Sequence, residues 1–157
     1  EYKDGNKMRR DLPAVLSAGV SNKINKVTLL FSYSHYFNKA ASIDNQNYDD
    51  GNEASIGIMY DINEKFTWTA GINIADTGAS RATYDDTEFA LNSQLYGTGV
   101  IFKPNEKNEF VLSLAYIHYN SENGVDEHFV PGADFEKSKV RYKKSITSLG
   151  LGYTYKF

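Results

Sequence analysis

From Ser145 to Phe157 apolar and small residues alternate: Leu149, Leu151, Tyr153, Tyr155 and Phe157 point one way, and Ser148, Gly150, Gly152, Thr154 and Lys156 the other. Side chains on a strand alternate with period two, so the segment predicts a β-strand with one apolar, aromatic-ended face and one small, polar face. Six earlier segments repeat the pattern: Pro13 to Ser21, Val27 to Phe37, Glu53 to Ile62, Phe66 to Ala75, Ser93 to Phe102 and Glu109 to Tyr119. Phe66 to Ala75 is the clearest, with Phe66, Trp68, Ala70, Ile72 and Ile74 set against Thr67, Thr69, Gly71 and Asn73. In Ser93 to Phe102 the facing stays open, because Gly97 and Gly99 interrupt it.

The connections between these segments alternate in length. Asn22 to Lys26, Asn63 to Lys65 and Lys103 to Asn108 are short, polar and turn-like, whereas 38–52, 76–92 and 120–144 are long. Bacterial outer-membrane barrels combine short periplasmic turns with long extracellular loops, and a tilted strand of about 9–11 residues crosses the bilayer. A soluble meander has no physical reason to keep this parity. The expected fold is therefore all-β, a transmembrane antiparallel β-barrel meander of about seven strands in the bacterial outer membrane. Residues 1–157 form a single barrel segment on this reading, with 1–12 as the end of an extracellular loop.

Composition narrows the alternatives. No apolar run approaches the roughly 18 residues of a membrane-spanning helix, whereas the 41% hydrophobic content of this chain suits residues diluted one in two along strands. Twelve Tyr and nine Phe suit interfacial aromatic belts. A net charge of −3 without a basic stripe argues against a nucleic-acid partner, and the lack of Cys removes disulfides, thiolate metal sites and thiol nucleophiles. The chain opens at Glu1 without Met or a signal-peptide pattern.

Seven strands is an odd number, and bacterial single-chain barrels have even ones. An open edge in hydrocarbon leaves backbone groups unpaired at several kcal/mol each. The sheet is therefore expected to be closed by a missing barrel half, by a second copy, or by an eighth strand from Glu1 to Asp11. That leading segment is highly charged, which favours the missing half.

Several stretches carry a family resemblance. Asp11-Leu12-Pro13-Ala14 opens a strand; Tyr48-Asp49-Asp50-Gly51-Asn52-Glu53 leads into Ser55-Ile56-Gly57-Ile58-Met59-Tyr60; Asn63-Glu64-Lys65 precedes Phe66-Thr67-Trp68-Thr69-Ala70-Gly71; and the chain ends Leu149-Gly150-Leu151-Gly152-Tyr153-Thr154-Tyr155-Lys156-Phe157. Together they resemble the FadL/TodX family of outer-membrane transporters for long-chain fatty acids and hydrocarbons. The resemblance implies a barrel of about fourteen strands, of which this chain is the last seven. It also implies an N-terminal hatch with an Asn-Pro-Ala signature and a kinked, sideways-opening early strand, neither of which lies in this sequence. Gate and hatch carry the mechanism, so transport would belong to the parent protein.

The inward set is unexpectedly apolar for a water-filled pore, with Val15, Leu30, Met59, Val111 and Ile117 among it. Leu30, Met59, Val111 and Ile117 are the candidate ligand-contacting residues. They would either pack against a lumen plug or line a pocket for an alkyl chain, where burial yields about 0.8 kcal/mol per methylene. Tyr153, Tyr155 and Phe157 form the expected membrane-insertion signal, read by the outer-membrane assembly machinery. The expected partners are thus outer-membrane lipid, that machinery and a hydrophobic small molecule.

Nothing in the chain calls for an enzyme, a cofactor or a metal. His35, His118 and His128 are widely separated, and the first two fall at outward interfacial positions. Asp49-Asp50-Gly51-Asn52-Glu53 lacks the spacing of a calcium loop and reads as a solvated acidic loop. No Gly-x-Ser-x-Gly occurs, and the paired glycines lack a phosphate-loop pattern. The expected function is an outer-membrane channel wall for uptake of long-chain fatty acids or other hydrophobic compounds. Alternatives are a small structural or adhesive barrel, a general porin, and a soluble β-sandwich or lipid-binding barrel with the apolar face inside.

Overall fold

A computed structural model describes residues 12–41, 48–80, 84, 89–129 and 135–157. Glu1 to Asp11, expected to be loop or an eighth strand, lie outside the described residues. Nine strands are present among those described: β1 (Val15–Ile24), β2 (Val27–Tyr36), β3 (Gly51–Asp61), β4 (Phe66–Asp76), β5 (Ser93–Asn105), β6 (Asn108–Tyr119), β7 (Glu122–Phe129), β8 (Phe135–Tyr142) and β9 (Ser145–Tyr155). The only helical element among them is a 3-10 turn, Asn38–Ala40.

Seven strands form one antiparallel sheet in the order β1-β2-β3-β4-β5-β6-β9, and β7 pairs with β8 in a separate hairpin. The chain is all-β and its main sheet is a meander, with β1 and β9 as free edges. The hairpin corrects the sequence reading, which treated 120–144 as a plain connection. Its two segments, ENGVDEHF and FEKSKVRY, carry charge at both alternating sets of positions, so no apolar period marks them.

The short turns explain themselves chemically. Asn25 has φ +56°, a left-handed conformation that Asn tolerates, and it closes β1 onto β2. The Asn63 side-chain oxygen accepts from the Lys65 and Phe66 N–H groups at 2.9 and 3.0 Å. Asn105 does the same for Lys107 and Asn108 at 3.1 and 3.0 Å. Each asparagine mimics a backbone turn and thereby fixes the register of its hairpin. Between Phe102 and Asn105 the register shifts, at the Pro104 that supplies no N–H.

Register puts the alternating residues of all seven strands in one consistent pair of faces. Val20 pairs with Phe31, Phe31 with Ile56, Ile56 with Ile72, Ile72 with Tyr96, Tyr96 with Tyr116, and Tyr116 with Thr147. This settles β5: Tyr96, Thr98, Val100 and Phe102 share the apolar face, while Leu95, Gly97, Gly99 and Ile101 lie on the other. The apolar face stays uncovered, with Leu149 72% and Leu151 83% exposed. Apart from glycines, only Leu91, Tyr142 and Asn38 are buried among the described residues. Among the described residues no partner layer covers either face of the seven-stranded sheet, unlike the two-layer arrangement of an ordinary soluble domain.

Aromatic rings mark both ends of the apolar face. Near the short turns Phe66, Phe102, Phe110 and Tyr153 form a ladder over four neighbouring strands, with centroid separations of 4.6, 6.3 and 4.9 Å. Toward the long connections lie Tyr33, His35, Tyr96 and Tyr116. Cross-strand aromatic pairs of this kind contribute roughly 0.2–1 kcal/mol each.

Candidate functional site

Three zones succeed one another along the face opposite the apolar one. At the long-connection end Glu53, on β3, accepts from the Tyr36 hydroxyl at 2.9 Å and from the Asn73 amide at 2.6 Å. That amide also donates to Ser55 Oγ at 2.7 Å, and Ser17 and Ser34 share a hydrogen bond of 2.8 Å beside it. Strand alternation brings these residues together, because Glu53, Ser55 and Asn73 are neighbours in the β3–β4 register.

The middle zone is small and apolar. Gly57, Gly71, Gly97, Ala115 and Ser148 follow one another across β3, β4, β5, β6 and β9 in a single row of the register. Missing side chains leave an open trough of about 740 Å³, lined by residues of β1 to β6. Of the bulky apolar residues that line it, Leu30, Met59 and Leu95 are those that the register places on this face. Its volume falls within the roughly 300–1,000 Å³ typical of small-molecule sites.

Four to six residues from that row along the same strands, toward the short turns, the surface becomes charged. Lys23 Nζ lies 2.7 Å from Asp61 Oδ2, and the Thr67 hydroxyl donates to Asp61 Oδ1 at 2.8 Å. Lys103 pairs with Glu109 at 3.3 Å. Asp61 and Glu109 are thus neutralised, and the charges at this end are paired across strands.

The sequence-derived candidates distribute unevenly over this face. Leu30 and Met59 line the trough. Val111 and Ile117 share the face but sit on β6, beside Gly152 and Ile146 of β9 and outside the trough lining. Leu95 was missed, since the facing of its strand was open in the sequence; its pairing with Asn73 and Ile117 is the signal that places it. At the chain end Tyr153 sits in the aromatic ladder, and Tyr155 meets Phe157 edge-on at 5.3 Å.

The acidic stretch before β3 is a tie between connections. Asp49 pairs with Lys39 at 2.9 Å, which holds the lysine ammonium above the usual lysine range. Asp50 accepts from the Lys39 N–H at 3.0 Å and lies 3.7 Å from His35 Nε2. Among the described residues no three His, Asp or Glu side chains converge as metal ligands. His118 lies on β6 opposite Gln94 and Ser145, while the side chain of His128 lies outside the described residues.

A small core holds the long connections. Tyr142 packs against Tyr84 and Phe89 at 5.3 and 5.1 Å, with Leu91 2% exposed. Nothing in the sequence pattern pointed to this cluster, because its members come from segments without periodicity. No family model matches the chain and no curated protein matches its sequence.

Proposed function

We propose that this chain is a wall of an outer-membrane β-barrel that admits long-chain fatty acids or other hydrophobic compounds, as the FadL/TodX resemblance implies. The observation that carries the reading is the trough: an apolar, glycine-floored depression set between two polar zones on one face. A general porin would be expected to present charge there instead. On the opposite face a largely apolar band between two aromatic belts suits lipid contact, since such a band facing water would be an aggregation liability. The barrel would be completed to about fourteen strands by elements outside the seven-stranded sheet.

Leu30, Met59 and Leu95 would then meet either the alkyl tail of a ligand or a plug in the lumen. No chemistry is asked of them; affinity comes from displaced water at about 25 cal/mol per Å² of apolar surface. The polar groups at either end are already hydrogen-bonded or ion-paired, so they offer a wetted entrance and exit without competing for the tail.

The test is uptake of a long-chain fatty acid by the full-length protein in a strain lacking its own transporter. Replacing Met59 or Leu95 with Asp leaves an unpaired carboxylate against apolar surface, at a cost that exceeds about 1.4 kcal/mol and so lowers uptake about tenfold or more. Met59→Leu keeps it. Free passage of small hydrophilic solutes with no fatty-acid uptake would replace this reading with a general porin.

A further inference from the structure

We propose that His35 and Asp50 form an acid-tightened clasp at the base of the first long connection, which closes when the imidazole takes up its second proton. The clasp is a property of the connection itself and does not depend on transport. The outer-membrane reading adds only that this connection meets the external medium.

The two residues stand at the two ends of the connection. His35 is the last residue but one of β2, and Asp50 immediately precedes Gly51, the first residue of β3. Asp50 Oδ1 is fixed by the Lys39 N–H at 3.0 Å, which leaves Oδ2 turned toward His35, 3.7 Å from Nε2. The two side chains are 28% and 32% exposed, open enough to exchange protons with the medium and covered enough to limit its screening.

Hydrogen bonding on the other side of the ring sets its tautomer. Asn52, opposite His35 in the β2–β3 register, has Oδ1 2.8 Å from His35 Nδ1, and the same oxygen accepts from the Tyr33 hydroxyl. An amide oxygen only accepts, so Nδ1 carries the proton. The neutral ring therefore turns a lone pair at Nε2 toward the Asp50 carboxylate, and neither atom has a hydrogen to give. A second proton lands on Nε2 and converts that opposition into a charge-assisted N–H···O contact across the base of the connection.

Among the described residues the other charged and titratable groups around the ring are engaged elsewhere. The Lys39 ammonium pairs with Asp49 at 2.9 Å, and Tyr33 is bound to Asn52. On β4 Asp76 lies beyond Asn52 in the register, with its Oδ1 accepting from the Gly78 N–H at 3.1 Å. β1 offers Leu16 opposite His35, and the Phe37 ring stands nearly perpendicular to the imidazole at 4.6 Å.

The sign follows from which form the clasp needs. Imidazole ordinarily changes charge between about pH 5 and 8, whereas carboxylates take protons only near about pH 4. The clasp is therefore closed at the acid end of that range and opens as pH rises through it. Lys39 and Asp49 are residue types that keep their charges throughout, so their pair holds the connection when the clasp is open. Acidity sets how tightly the connection is held, not whether it is held.

The test places a nitroxide at Ala41 of the full-length protein in phosphatidylcholine vesicles and follows its mobility from about pH 8 to about pH 5. The ratio of immobile to mobile label should rise about two- to fivefold on acidification, the range of a partly exposed ion pair. His35→Gln and Asp50→Asn should each abolish the response. A parent whose label does not respond, or a response that survives either substitution, would overturn the proposal. Ring-¹⁵N spectra of protein carrying His118→Gln and His128→Gln give a second readout that leaves the clasp intact. Nδ1 should be protonated at both ends of the range and Nε2 only at the acid end; a bare Nδ1 at the alkaline end would equally overturn it. Neither readout uses uptake, so failure of the transport reading and failure of the clasp are separate results.

Discussion

On the apolar face the indole Nε1 of Trp68 donates a hydrogen bond of 3.0 Å to the hydroxyl of Thr98, which in turn donates to the Thr69 carbonyl at 3.0 Å. The indole N–H and the hydroxyl, both set in an apolar band, thus satisfy each other and the backbone. Thr98 interrupts an apolar band without leaving a polar group open. In Thr98→Val the indole loses its acceptor, and leaving an apolar-embedded N–H unpaired costs about 1–3 kcal/mol. Trp68 is the sole tryptophan, so its emission should shift to shorter wavelength in the folded, lipid-reconstituted variant, and the urea midpoint should fall. Thr98→Ser should show neither change.

Spin labels test which face meets lipid. Nitroxides at Ile56, Ile58, Trp68, Leu112, Leu114 and Leu151 should show high oxygen and low nickel-chelate accessibility, and those at Ser17, Ser113 and Gly150 the reverse. Register places the first six on one face and the other three opposite. Lipid-like accessibility on the Ser17, Ser113 and Gly150 face would invert the assignment and revive the soluble barrel with an apolar interior.

How legible all this was in sequence depended on whether a segment had side chains to alternate. Phe66 to Ala75 announced both its strand and its facing, and the segments expected at Val27 to Phe37 and Glu109 to Tyr119 lie within a residue or two of β2 and β6. β5 could be recognised but not oriented, because two glycines carry no facing information; pairing of Trp68 with Val100 and of Ile72 with Tyr96 supplied it. Leu30 and Met59 came from that same alternation, and Leu95 was lost with the orientation of β5. The β7–β8 hairpin and the Leu91–Tyr142 cluster were illegible for a different reason. The cluster joins Tyr142 to Tyr84 and Phe89, more than 50 residues away, and a hairpin paired only with itself need not have an apolar face.

Glycines in the small-residue zone should respond differently to a methyl group. At Gly99 an added Cβ would lie 2.8 Å from the Leu112 carbonyl oxygen, a backbone atom that moves only with its strand. Gly99→Ala should therefore destabilise by about 1–3 kcal/mol. At Gly97 the nearest atom is Leu95 Cδ2 at 3.7 Å, an ordinary contact. Gly97→Ala should be neutral or stabilise by about 0.5 kcal/mol, since glycine is a poor strand residue. Heat-modifiability on gels and urea unfolding in vesicles compare the two. Equal effects would mean that the Gly99 backbone does not approach β6 this closely.

Asn38 stitches two long connections together. It is 9% exposed, and its amide donates to the carbonyls of Asp49 at 3.2 Å and Thr77 at 3.0 Å. Beside it Gly78, with φ +69°, leaves its carbonyl free to accept from Asp49 N–H at 2.7 Å; a Cβ there would collide with the Asp49 backbone. Asn38→Asp retains the size but removes both donated bonds and sets a carboxylate against two carbonyl oxygens. In the outer-membrane reading, limited proteolysis of intact cells should then cut within 38–50 many times faster than in the parent, while the folded sheet stays heat-modifiable. Unchanged cleavage would show that the Lys39–Asp49 pair and the backbone bonds of Asp49 and Lys39 hold this connection without Asn38.

The chain end offers the final prediction. Phe157 is fully exposed and meets Tyr155 edge-on at 5.3 Å, while Lys156 N–H donates to the Lys107 carbonyl at 2.8 Å and so aligns the last residues along β6. One further hydrogen bond fixes the neighbouring ring: the Tyr153 hydroxyl donates to Asn108 Oδ1 at 2.7 Å. Three aromatics are thus held at the short-turn rim, two of them by contacts within the sheet and the third presented outward. In the outer-membrane reading that ring is free for the insertion machinery and afterwards anchors the strand at the interface. Deleting Phe157, or changing it to Glu, removes one exposed ring contact, that with Tyr155, so stability of any assembled protein should stay within about 0.5 kcal/mol of the parent. Assembly should fall sharply all the same, with unfolded protein accumulating in the periplasm at normal rates of synthesis. Phe157→Tyr should restore it. Normal amounts of folded, heat-modifiable barrel in the deletion strain would show that the terminal aromatic is not the recognised element.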